Sequence, residues 1–140
     1  MTFEAVNLLH VVLAALAAWI LGWVYYNIAY KLCPADKPAC DGKMDFTPLV
    51  VALIGAGVSA YVLAALLHYV APGNITMHSG AVSAFFVWLG FTLPPIVIDK
   101  AFSGWRMKVA TIDGLFWLLA LVLQGVLLGG LTSGQIKLPM

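Results

Sequence analysis

Four stretches of this chain carry no Asp, Glu, Lys or Arg: Ala5 to Tyr30, Phe46 to Ala71, Ser79 to Ile98 and Gly114 to Gln135. Each is close to or longer than the roughly 20 apolar residues that a helix needs to cross a bilayer. The expected fold class is therefore all-α, an integral membrane protein with four transmembrane helices in an up-down antiparallel bundle. The approximate spans are 5–30, 46–71, 79–98 and 111–133. The connections between them are too short to bury a core of their own, so residues 1–140 are expected to form a single transmembrane domain. Composition agrees: 63% of the residues are hydrophobic and 9% charged, against about 45–50% and about 25% in soluble domains.

The first span differs from a signal peptide, which starts basic, has a shorter apolar region and ends at a small-residue cleavage site. Here Glu4 stands at the start, and the run ends in aromatics, GWVYYN. It is expected to be retained as a helix.

Orientation follows from the basic residues. Lys31, Lys37 and Lys43 lie in the first connection, Lys100, Arg106 and Lys108 in the third, and Lys137 alone on the other side. Cytoplasmic loops collect Lys and Arg, which places the first and third connections in the cytoplasm and both termini in the periplasm or outside. The competing signal is CPADKPAC, which holds Cys33 and Cys40. Their spacing allows a small disulfide ring, and disulfides belong to oxidising compartments. A zinc site would be half filled by these two cysteines, so no metal site is expected.

Small residues repeat every fourth position in three spans: Ala14, Ala18 and Gly22; Ala56, Ala60 and Ala64; Gly125 and Gly129. Such ladders let helix backbones approach closely where lipid supplies no hydrophobic drive. They fit packing within one bundle or the seam of a homo-oligomer. Trp23, Tyr25, Tyr26 and Tyr30 end the first span, with Trp105 on the same side, and read as an interfacial aromatic belt.

Polar residues inside spans are expensive and mark sites. Asn7 and His10 lie early in the first span, Tyr61 and His68 share a face of the second, and His78 opens the third. Asp113, Trp117 and Gln124 share a face of the fourth. With alternating span directions the three histidines fall on one side of the membrane. His10 and His68 could ligate a cofactor across two helices, could respond to pH, or could sit near the interface bonded to polar neighbours or water. No third ligand is visible beside them, and no cofactor is predicted. Asp99, Arg106, Lys108 and Asp113 read as interfacial charges, with Asp113 at the start of the last helix. FTLPPIVIDK, residues 91–100, sets Pro94 and Pro95 near the end of the third span. Proline removes a helical hydrogen bond and clashes with the preceding turn, so a kinked helix exit is expected here, with the chain leaving the membrane through Ile98 to Lys100.

The order of features resembles the small bacterial membrane family catalogued as domain of unknown function 1761. The resemblance rests on Asn7, LGWVYYN at the end of the first span, WLGF in the third, KAFSGWRMK in the third connection, TIDG at the start of the last span and GVLLGG near its close. It covers nearly the whole chain and implies a four-helix fold with no established activity. The sequence departs from the family pattern at Pro94, Pro95 and the cysteine-bearing connection.

No H-E-x-x-H, G-x-S-x-G or phosphate-cradling motif is present. No nucleophile has a positioned base beside it, and a net charge of +1 offers no surface for nucleic acid. The expected partners are the lipid bilayer and either further copies of the chain or a larger membrane complex. Three functions follow: a non-enzymatic accessory subunit or self-associating bundle of a bacterial inner membrane; a small oligomeric channel or transporter with a path near His10 and His68; and a histidine-ligated cofactor bundle.

Overall fold

The computed structural model describes residues 6–32, 47–104 and 107–134. Within them the chain is all-helical. Helix α1 runs over Leu8–Leu32, α2 over Thr47–Val70, α3 over Met77–Val87, α4 over Leu93–Phe102 and α5 over Met107–Thr132. A π-helical turn, Trp88–Thr92, joins α3 to α4 in one rod. The four rods are long and apolar enough to cross a membrane, at Leu8–Ala29, Leu49–Val70, Met77–Phe102 and Met107–Thr132.

Local chemistry sets the ends. The Asn7 carboxamide oxygen accepts the Leu9 N–H at 3.0 Å, satisfying a donor that a helix start leaves open. A reciprocal capping box starts α3: Thr76 accepts from the Ser79 N–H, and Ser79 accepts from the Thr76 N–H at 2.8 Å. Gly73 and Gly104 turn the chain after α2 and α4 with φ of 78° and 68°, a region open to glycine and strained for other residues.

Helix α5 is the centre. Half of its span is buried, against 6% for the third rod, and it packs against all four other helices. The small-residue ladders pack inside the molecule: Ala14, Ala18, Ala56, Ala60 and Ala64 are buried. The closest approach joins α3 to α5. A Cβ on Gly80 would run into the carbonyl of Gly125, and one on Gly129 into the carbonyl of Thr76. Gly80 and Ala84, four residues apart and both buried on α3, add a small-residue step to the three ladders read from the sequence.

At Pro94 and Pro95 the third rod departs from α-helical geometry, and the helix then runs on to Phe102, two residues past Lys100. Just before the prolines the backbone widens into the π turn, in which the Leu93 N–H bonds back to the Trp88 carbonyl. Of the aromatics closing α1, Trp23 is exposed as a belt residue would be, but Tyr25 and Tyr26 turn inward onto α5, with Phe116 at 5.7 and 4.9 Å between ring centroids.

Candidate functional site

Two polar residues of α5, Asp113 and Gln124, reach α1 and α2 respectively, while Lys108 and Thr111 are exposed. Near its start, Asp113 accepts a hydrogen bond from the Tyr26 hydroxyl at 3.0 Å and pairs with Lys100 at 3.5 Å. The neighbouring carbonyls are held too. Tyr25 donates to Ile112 O at 2.9 Å and the Trp88 indole to Gly114 O at 2.8 Å. These bonds use the second lone pair of carbonyls on the first turns of α5. They tie α1, the third rod and α5 together at one end of the molecule.

Below this knot, α1, α2 and α5 separate around a half-open cleft of about 550 Å³. Its walls are apolar and aromatic, with Trp19, Trp23, Phe116 and Trp117 among them, and Gln124 and Ser59 supply polar groups. Gln124 is 1% exposed. Its amide nitrogen donates to Ala56 O at 3.1 Å, and its oxygen accepts from the Ser59 hydroxyl at 3.2 Å. A carboxamide has two donors and two acceptor lone pairs, so one N–H and one lone pair are spare. Mostly apolar walls with a few fixed polar groups are the usual make-up of a small-molecule site. Gly55 also lines the cleft, and a side chain there would meet nothing within 4 Å.

The sequence candidates divide. Asp113 and Gln124 lie at the knot and in the cleft, with Trp117 between them along α5. Asn7 is a helix cap. His68 places Nδ1 2.8 Å from Ala64 O on its own helix, Tyr61 packs against the core and His78 is exposed. The buried Nδ1 of His10 has no partner among the described residues. None of Asn7, the histidines or Tyr61 lines the cleft. Among the described residues, no three His, Cys, Asp or Glu side chains gather to hold a metal. Asp99 is largely exposed, 3.9 Å from Lys100, and Lys108 is exposed. Arg106, Cys33 and Cys40 lie outside the described residues.

Spacing did not reveal Ser59, Trp19 or Lys100 as parts of this region. Ser59 stands one residue before the buried Ala60, and only the packed structure shows it turned towards Gln124.

No curated protein and no solved structure matches this chain. A family model described as a protein of unknown function, DUF1761, matches residues 9–129. The chain therefore belongs to the DUF1761 family, in agreement with the motifs that end its first span and begin its last.

Proposed function

We propose that this protein is a non-enzymatic membrane component that holds one uncharged, largely apolar molecule of the bilayer in the cleft between α1, α2 and α5. The observation that carries the reading is the cleft itself, with indole and phenyl walls and a buried Gln124 retaining spare hydrogen-bonding capacity. A carbonyl or hydroxyl on the ligand would complete the carboxamide, and the apolar body would lie against Trp19 and Trp117. A charged ligand fits poorly, since Asp113 and Lys100 already neutralise each other. Two hydroxyls line the wall: that of Tyr26 is donated to Asp113, and that of Ser59, bonded to Ala56 O and Gln124, has no histidine or carboxylate among the other lining residues, which supports binding over catalysis at Ser59.

A conduction path or a cofactor built on His10 and His68 draws no support from this cleft, which neither residue lines. The location proposed is a bacterial inner membrane. The connections after α1 and after α4 would face the cytoplasm and both termini the opposite side, by the distribution of Lys and Arg.

The test is mass analysis of the lipids that co-purify with the protein after gentle extraction and washing. One species retained in near-stoichiometric amount by the wild type and lost in Gly55→Phe, which fills the cleft, is the expected result. Equal retention of bulk lipids by both proteins would sink the reading.

A further inference from the structure

We infer, on the basis of the binding role proposed above, that the molecule held in the cleft is a prenylated quinone or its quinol. Its flat ring, with an oxygen on each of two opposite edges, enters first, and its tail leaves at the end where α1 finishes and α2 and α5 begin. Depth is the first reason. Ala18 and Ser59 stand at the middle of the Leu8–Ala29 and Leu49–Val70 spans, and the bonds of Gln124 to Ala56 and Ser59 hold its carboxamide at the same level. From there the cleft runs to Asn27 and Leu49. Leu49 to Ser59 is about 15 Å of helix, the depth of one leaflet of hydrocarbon.

The two ends of the cleft differ. Ala18, Ala56, Ala120 and Gln124 at the inner end are buried, whereas Trp23, Asn27, Leu49 and Val51 at the mouth are exposed. The spare N–H of Gln124 thus lies at a closed end in mid-bilayer, where a donor without an acceptor is costly. A glycerolipid keeps its charged or hydrated part at the interface and would bring only hydrocarbon to Gln124. The ligand oxygen has to reach the midplane, so it belongs to a molecule without a strongly hydrated head.

A second donor bears on shape. Trp117 is in the wall, and its indole N–H has no acceptor among the described residues. Trp117 and Gln124 share one face of α5, about 10 Å apart along the helix. Side chains of one helix lean the same way, so the two donors lie roughly that far apart. Two hydrogen bonds of about 2.9 Å each, with one six-membered ring between them, cover this distance. A fatty alcohol or polyprenol carries one oxygen and answers one donor. Because Gln124 keeps a lone pair as well as an N–H, a ring carbonyl and a ring hydroxyl both suit it. The walls favour a flat body. Trp19 is held by its bond to Leu49 O at 3.2 Å and Trp117 by the edge-on ring of Phe116, 5.4 Å away between centroids, while Gly55 adds no side chain to the α2 wall.

The test is a titration of the protein in phosphatidylcholine nanodiscs with a benzoquinone carrying one prenyl unit, read by quenching of tryptophan fluorescence. Quenching should saturate stoichiometrically in the wild type and be lost in Gly55→Phe, whose new side chain starts from open space. Gln124→Leu and Trp117→Phe each remove one donor, and Trp117→Phe keeps an aromatic wall; each should raise the Kd about tenfold. Quenching without saturation, or a wild-type Kd in both donor variants, contradicts the assignment. Displacement of the quinone by dioleoylglycerol at equal concentration, or a ring-free neutral lipid retained stoichiometrically by the wild type from its own membrane, overturns the quinone and leaves the binding role standing. No saturable quenching together with no retained lipid removes both.

Discussion

At the scale of single residues, glycine decides how close the helices come. Gly80 and Gly125 face each other so that a Cβ on either would overlap the other's carbonyl. Gly125→Ala is therefore expected to force α3 and α5 apart and to lose about 2–3 kcal/mol of stability, as overpacking does. Gly57→Ala, where a Cβ meets nothing, should cost nothing in the same denaturant titration in mixed micelles. A loss as large at Gly57 would mean that the α3–α5 contact does not set the effect, because helix propensity by itself favours Ala over Gly. Gln124 works differently. It joins α5 to α2 through Ala56 and Ser59, and interhelical hydrogen bonds in membranes contribute about 0.6 kcal/mol each. Gln124→Leu should thus lower stability by about 1 kcal/mol while abolishing retention of the cleft ligand, a split that Gly125→Ala would not show.

At the scale of elements, the knot of Tyr26, Lys100 and Asp113 fixes where α1 and the third rod meet α5. Both charged side chains are about four-fifths buried, so removing one partner leaves the other poorly solvated. Asp113→Asn is expected to cost about 2 kcal/mol, between the values for exposed and fully buried pairs. A double-mutant cycle with Lys100→Met should show that most of this is shared between the two; additive losses would mean that the pair is not coupled. The same knot explains what the sequence could and could not convey. Four spans were legible because long uncharged runs have one common solution in lipid. The end of the third span was legible only to within about a turn from Asp99 and Lys100; the helix runs on to Phe102, with Lys100 paired to Asp113. Tyr25 and Tyr26 looked like belt residues because position along a helix says nothing about which side faces a neighbour. Asp113, Trp117 and Gln124 were visible as one face by their spacing, but the cleft that Trp117 and Gln124 border also needs Trp19 and Ser59 from helices far away in sequence.

At the scale of the whole molecule, the question is which end of the bundle meets the cytoplasm, since that sets the side on which the Lys100–Asp113 knot lies. The described residues already bias the answer. Lys31, Lys100 and Lys108 lie towards the end where α1 and α4 finish and α5 begins, while His10, His68 and His78 lie towards the other. Cytoplasmic ends collect Lys, so the proposed orientation puts the lysine end in the cytoplasm; the Lys100–Asp113 pair itself does not distinguish the two sides. With Cys33 and Cys40 replaced by Ser, Phe102→Cys at the lysine end and Pro72→Cys at the histidine end provide two exposed reporters. An impermeant thiol reagent applied to intact cells should label position 72 and spare position 102 until the membrane is opened. The reverse pattern would put the lysine end outside, turning the histidine end of the bundle towards the cytoplasm. Labelling of position 102 in every cell preparation, together with protection of position 72, would then make an oxidised Cys33–Cys40 pair the natural expectation for the connection after α1, because that connection would face an oxidising compartment.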